Sequence, residues 1–210
     1  MAKDFCDDCG GIIDNSAIRA GDQTFHYSCA HHNGHVRPGE VPGVRGFEKV
    51  EFEVFRDAVR DSFELDSGAH HSPIDDIARD MYERVRMPER ATAESAGYDF
   101  FAYMKLCIHP GDVVTIPTGI KAYMKKNEFL KIYPRSGHGF GFLRMANNVG
   151  IIDADYQQQI WVKLRNESRD ETVVIQPYEG MAQGIFGRYL LVDGDEFNGP
   201  ERKGGFGSTG

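Results

Sequence analysis

From Arg84 onward the chain is written in short β-prone runs cut by turn residues, and this alternation limits its fold more than any other feature. The runs are Val113–Ile116, Leu130–Tyr133, Ile160–Leu164, Thr172–Ile175 and Ile185–Val192. Between them stand Pro110-Gly111, Pro117-Thr118-Gly119, the stretch Asn166 to Asp170, and Pro177. Branched and aromatic side chains suit a pleated, half-buried surface, while Gly, Pro, Asn and Asp close the turns. Many short strands at such spacing predict an all-β sandwich or barrel. No internal repeat is visible. No run of about 18 apolar residues occurs, so no membrane-spanning helix is expected.

Ahead of the β region the pattern changes twice. Between Phe47 and Phe63 the apolar positions Phe52, Phe55, Val59 and Phe63 recur at helical spacing. Ser72-Pro73 then reads as an N-cap followed by proline at the first helical position, with Ile74, Ile77, Ala78 and Met81 as the apolar stripe. Residues 46–83 are therefore expected to be a helical connector. Residues 1–45 hold three of the four cysteines and half of the eight histidines, and close on a Gly- and Pro-rich linker.

Cys6, Cys9, His26 and Cys29 form two knuckles separated by a loop, which is how small tetrahedral zinc sites are built. The arrangement looks like the first half of a LIM-type or treble-clef finger, so structural zinc is expected. His31, His32 and His35 are rivals to His26, and a redox Cys-x-x-Cys is the alternative chemistry. A Cys₃His site leaves no open coordination position, which argues against catalysis there. Cys107, alone in a β-rich stretch, is expected to be a buried hydrophobe.

The formal charge of −8 over 210 residues argues against a surface built for polymeric nucleic acid. The finger region also carries more acids than Lys plus Arg, so a protein partner suits it better than a phosphate backbone. Acids stand in MAKDFCDD where a secretory signal would carry an apolar run. The expected location is cytoplasmic, with reduced thiols.

Five segments carry the chemistry. They are SAGYDFFA (Ser95 to Ala102), PRSG (Pro134 to Gly137), NNVGIIDADY (Asn147 to Tyr156), IQPYEGMAQ (Ile175 to Gln183) and the tail ERKGGFGSTG (Glu201 to Gly210). The tail would make a poor core segment. Its glycines, hydroxyls, cations and single phenyl ring nevertheless suit a lid over a nucleoside polyphosphate. In order and spacing the five segments resemble the trimeric dUTPase family, over about 130 residues of the chain.

The resemblance implies a mainly β fold, a dUTPase-like jelly-roll barrel spanning residues 84–198, with a lid at 199–210. It implies magnesium-dependent cleavage of dUTP to dUMP and pyrophosphate. Such cleavage needs charge neutralisation on the phosphates, a placed water and an acceptor for the water's proton. Asp153 matches the family carboxylate that orients and activates the water. Tyr156 matches the tyrosine that packs on the deoxyribose and excludes a ribose hydroxyl. Asn147, with adjacent Asn148 as rival, matches the uracil contact beside Gly150. Arg135, Ser136 and Gly137 match the phosphate-binding turn, and Gln183 a glutamine at the phosphate end. Asp99 matches the carboxylate that holds magnesium through its water shell.

In the tail, Phe206 would stack on uracil, with Gly207, Ser208 and Thr209 at the γ-phosphate. Arg202 or Lys203 would close over it. Family membership further implies a homotrimer whose active sites each draw on three chains, in a bacterial or phage-infected cell. Gly180 and Gln158 depart from the common family residues, Arg and Gly. A dCTP deaminase shares the fold and part of the motif set but should lack the GGFGSTG lid. A regulatory protein that binds its partner through the finger is the other reading.

Overall fold

A computed structural model describes residues 17–20, 23–26, 45–62, 73–139 and 141–199 of the chain. The described part is mainly β, with two helices of eleven residues, α1 (Phe52–Ser62) and α2 (Pro73–Glu83). A single turn, α3 (Ser136–Gly139), is the only other helical element described. β1 (Ala17–Ala20) and β2 (Gln23–His26) pair as an antiparallel hairpin with Ala17 opposite His26.

The main sheet has five antiparallel strands. Its order is β11 (Gly150–Asp153), β9 (Glu128–Tyr133), β14 (Gly180–Arg188), β5 (Tyr98–Phe101) and β4 (Glu89–Arg90). A three-stranded sheet of β10 (Leu143–Met145), β12 (Trp161–Asn166) and β7 (Val113–Pro117) faces the same core. Two pairs complete the fold, β6 (Leu106–Ile108) with β13 (Val173–Ile175) and β3 (Gly46–Lys49) with β8 (Ile120–Tyr123). Alternation dictates which side chains go inward. In β9, Glu128, Leu130 and Ile132 are buried and Phe129, Lys131 and Tyr133 are not.

Three sequence expectations need correction. Cys107 is exposed, because Leu106 and Ile108 take the two inward positions of β6 and the period of two turns Cys107 out. The last strand begins at Gly180 and ends at Arg188, so Leu190, Leu191 and Val192 are exposed rather than paired. The β propensity of that apolar run is overridden because no neighbouring strand is placed to receive it. Residues 46–49 form a strand rather than the start of a helix, since Phe47 is drawn into the ring cluster of Tyr98, Phe100 and Phe186.

The helices expected as a connector share the core of the β fold. Phe55, Val59 and Ala78 are fully buried in one cluster with Phe100, Leu130 and Ile152. Val50 N–H donates to the Gly119 carbonyl at 3.0 Å, tying the start of α1 to the turn between β7 and β8. Gly119 must be glycine on two counts. Its φ is +72°, and a Cβ there would stand 2.9 Å from a Val85 methyl. Ile77, expected on the apolar stripe, is 45% exposed, and Ala78, Met81 and Tyr82 form the inner face instead.

One ion pair, between an exposed Arg45 and a buried Glu128, ties the chain ahead of β3 to the sheet. Arg45 Nε and Nη2 donate to the two Glu128 carboxylate oxygens at 3.0 and 2.6 Å, and Lys125 N–H adds a third bond at 3.3 Å. The Arg45 hydrogen bonds hold the Glu128 carboxyl below its usual range, against the opposing effect of burial. A depressed carboxylate stabilises the fold above its unfolded pKa, and this contribution is lost as pH falls through the folded value. Glu128→Ala should cost about 2 kcal/mol at pH 7, less than a fully buried pair because Arg45 can re-solvate. Urea unfolding followed from pH 7 down to pH 4 checks this. The variant's stability should fall less with acid than the wild type's.

Candidate functional site

Three of the five sequence motifs converge where β5, β14 and β9 run side by side. Asp99 on β5 stands opposite Gln183 on β14, and Gln183 stands opposite Tyr133 on β9. The chain leaves β9 through Pro134 and Arg135. The Arg135 guanidinium then turns back, and its Nε lies 3.0 Å from Asp99 Oδ1. Gln183 Nε2 donates to the Pro134 carbonyl at 3.1 Å and fixes the turn against β14. Asp99, Arg135 and Gln183 are thus one cluster, with a nearly buried carboxylate beside a half-buried cation. Ser136 and Gly137 follow Arg135 and are exposed.

Two glycines leave room for this cluster. A Cβ on Gly97 would meet Gln183 Oε1 at 2.5 Å, and one on Gly180 would meet Arg135 Cδ at 2.6 Å. Between Gly180 and Ala182 the register of β14 against β5 shifts, a bulge that re-aims side chains beside the site. His138 was not singled out from the sequence. Its Nε2 lies 3.0 Å from the Gly180 carbonyl and so carries the hydrogen, and Glu179 is 3.7 Å away. Reading PRSG one residue onward would have found the His138 imidazole immediately after the turn. Nothing in sequence spacing places it against Gly180.

The third motif lies elsewhere on the same sheet. Gly150, Ile151, Ile152 and Asp153 form edge strand β11, with Asp153 opposite Phe129 and Gly150 opposite Ile132. Asp153 and Ile151 point outward, and Ile152 points into the core. Asn148 has φ +60°, a left-handed position that Asn tolerates, and it makes the turn into β11. Asn147 is exposed, and its amide nitrogen is 3.7 Å from where a Cβ on Gly150 would stand. Tyr156 is 4% exposed, and its hydroxyl donates to the Gln159 carbonyl at 2.6 Å. Its backbone N–H bonds the Asp153 carbonyl at 3.0 Å, which sets the two residues at the ends of one tight turn.

Within one chain these two groups do not meet. From Phe129 to Tyr133 is four residues, roughly 13 Å along β9 at about 3.3 Å each. β11 and β14 flank β9 on opposite sides, roughly 10 Å apart. The Asp153 backbone therefore stands roughly 16 Å from that of Gln183, far beyond hydrogen-bond reach. The tail residues Arg202, Phe206, Gly207, Ser208 and Thr209 lie outside the described residues, as do Cys6, Cys9 and Cys29. His26 is described only as the backbone end of β2. Among the described residues no group of three or more His, Cys, Asp or Glu side chains is placed to hold a metal ion, and no helix is long and apolar enough to cross a membrane.

The described fold is mainly β and sets a guanidinium against a carboxylate beside a Gly-opened turn. The sequence pattern of the dUTPase family matches residues 83–210, so the chain belongs to that family. It is 42% identical over 134 residues to the deoxyuridine 5′-triphosphate nucleotidohydrolase of Lactococcus lactis subsp. lactis, covering 60% of this chain and 89% of the relative. It is 38% identical over 142 residues to the Burkholderia multivorans protein of the same name, covering 62% and 93%. Among solved structures, the dUTPase from Streptococcus mutans aligns with a TM-score of 0.50 at 29% identity. That alignment covers 71% of this chain and 99% of the other.

Gln183→Ala removes the amide that holds the Pro134–Arg135 turn. It should lower unfolding free energy by about 1 kcal/mol, the usual net worth of one such bond. It should also raise KM more than it lowers kcat, because Arg135 loses its placement rather than its charge. Urea unfolding and initial-rate kinetics on the same preparation check both.

Proposed function

We propose that this chain hydrolyses dUTP to dUMP and pyrophosphate, using phosphate-holding residues of one subunit and the water-orienting residue of another. The chain is an enzyme of the dUTP nucleotidohydrolase type, as its relatives across residues 83–210 are. The observation that carries the shared-site reading is the roughly 16 Å between Asp153 and Gln183, which no side chain bridges. A second copy that lays its β11 edge over the Asp99–Arg135–Gln183 cluster would bring the halves together. A homotrimer with three equivalent sites is the closed arrangement the family resemblance implies.

The division of labour follows from the side chains. Arg135 gives charge-assisted bonds to phosphate oxygens, exchanging its contact with Asp99 for the substrate, and Ser136 adds a neutral donor. Asp153 accepts a proton from the attacking water. The water oxygen bonds to the α-phosphorus as the bond to the α–β bridging oxygen breaks, and the leaving group departs as pyrophosphate. Tyr156 is pinned through its hydroxyl to Gln159, so its ring is a fixed wall against a ribose 2′-hydroxyl. Asn147, beside Gly150, offers both a donor and an acceptor to the pyrimidine edge.

Asp99 fits magnesium. It is one carboxylate at the phosphate cluster, and magnesium takes few carboxylates, keeps its waters and binds substrate phosphates. When bound, the ion would neutralise phosphate charge. The tail, through Arg202 or Lys203, Phe206, Gly207, Ser208 and Thr209, would cover base and γ-phosphate, and a lid of this kind orders on binding. The β layers enclosing one core support a jelly-roll reading of the barrel.

Structural zinc at Cys6, Cys9, His26 and Cys29 rests on the donor set and on the hairpin that ends at His26. Its finger is the chain's best surface for a protein partner.

Two experiments test these readings. Asp153→Asn and Arg135→Ala homo-oligomers should each be inactive with dUTP and magnesium. Unfolded together and refolded as a mixture, they should regain turnover, because some sites pair an intact Asp153 with an intact Arg135 from another chain. A mixture as inactive as its parents would sink the shared site. Elemental analysis of the purified protein should find about one zinc per chain, reduced in Cys6→Ser/Cys9→Ser with dUTP turnover kept. Unchanged zinc in that variant would remove the finger reading.

A further inference from the structure

The turn that carries Arg135 cannot hold its own shape. α3 is four residues long, too short to be stable by itself, and Ser136 and Gly137 on it are exposed. Its placement therefore rests on anchors outside it. Gln183 Nε2 supplies one of them at the Pro134 carbonyl. His138 supplies another on the far side of Arg135, where its Nε2 donates to the Gly180 carbonyl at 3.0 Å from a mostly buried ring. Arg135 thus lies between two side-chain pins.

The point to which His138 is pinned is itself rigid. Tyr178 has φ +66°, a left-handed position that is strained for a tyrosine and persists only where the surroundings dictate it. Here hydrogen bonds on both sides dictate it. Glu179 N–H donates to the Gln176 carbonyl at 3.0 Å, and Gln176 N–H donates to Glu179 Oε2 at 2.9 Å. Tyr178 N–H donates to the Ala102 carbonyl at 2.7 Å, and Ala102 N–H to the Glu179 carbonyl at 2.9 Å. Gly180 follows directly, and a Cβ added to it would meet Arg135 Cδ at 2.6 Å. His138 and Arg135 therefore close on the same glycine, one at its carbonyl and the other over its Cα.

We propose that His138 is a positioning residue for dUTP cleavage: by fixing α3 to the 176–180 turn it sets where Arg135 meets the substrate phosphates. The proposal rests on the reading of Arg135 as a phosphate-holding group. The imidazole touches no substrate in this role. What residue 138 must supply is an N–H donor at the reach of Nε2. A glutamine amide has a similar reach, whereas an asparagine amide, one carbon shorter, falls short of the carbonyl.

Initial rates on dUTP with magnesium, and inhibition by deoxyuridine, test this on the full-length protein. His138→Ala and His138→Asn should each raise KM for dUTP about fivefold with kcat changed less than about twofold, as expected when one hydrogen bond's worth of placement is lost. His138→Gln should recover most of that rise. Inhibition by deoxyuridine, which carries no phosphate, should be unchanged in all three variants. An unaltered KM in the Ala and Asn variants, no recovery in the Gln variant, or an equal loss of deoxyuridine affinity would each overturn the proposal. Arg135→Ala separates it from the reading on which it rests. Full turnover in that variant overturns the phosphate role of Arg135, whereas an inactive Arg135→Ala beside a wild-type KM in His138→Ala overturns the positioning role alone.

Discussion

Strand β14 is the element on which the rest of the structure depends, because it pairs with β5 through Gly180–Gly184 and with β9 through Gln183–Arg188 and so joins the two halves of the main sheet. Its inward positions, Ala182 and Gly184 among them, lie under Phe100, Leu130 and Ile132. Its outward Gln183 holds the turn that carries Arg135. A one-residue slip of β14 would bury Gln183 and expose Ala182, dismantling the core and the Asp99–Arg135–Gln183 cluster together. The bulge near Gly180 is tolerated because it falls at the end of the ladder, where it admits Arg135 instead of interrupting the centre.

The edge position of Asp153 is the complement of that arrangement. A proton acceptor at the centre of the sheet would be desolvated and walled in by neighbouring strands. On β11, with one edge unpaired in the described sheet, Asp153 stays exposed beside Ile151, which is 52% exposed. Leu190, Leu191, Val192 and Phe197 extend the apolar surface beyond β14. Fully burying an aliphatic or aromatic side chain is worth about 1.5–3 kcal/mol. Four or five such residues covered by a neighbour would offset a large part of the entropy lost on association. Covering these side chains is therefore a physical reason for copies of this chain to assemble.

The sequence was most legible where local chemistry and tertiary placement agree. Val113–Ile116 and Leu130–Tyr133 fall within observed strands, and Ile160–Leu164 does so from Trp161 onward, because alternation and flanking turns point the same way. Asp99, Arg135 and Gln183 were nameable only through motif resemblance, since their sequence separations say nothing of a shared sheet register. Three failures have one cause. Cys107 was expected to be buried, Leu190–Val192 to continue a strand and Ile77 to sit on an apolar stripe, all because of residue type, but orientation and available partners decide burial and pairing. The brace from His138 to Gly180 and the orphan amide of Gln159 were illegible because both depend on contacts made across long loops.

The helices do more than join two folded regions. Val50 N–H and Gln159 Oε1 both hold the Gly119 peptide unit, one through its carbonyl and the other through its N–H. The Gln159 carbonyl in turn anchors the Tyr156 hydroxyl. A shift of α1 is therefore transmitted through three hydrogen bonds to the Tyr156 ring. Phe55 and Val59 resist such a shift, because moving either opens a cavity in a core where losing one large side chain costs several kcal/mol. A segment that precedes the family-matching residues thus contributes to the rigidity of the Tyr156 ring. Swapping α1 for an unrelated spacer would loosen Tyr156 even with every motif residue in place.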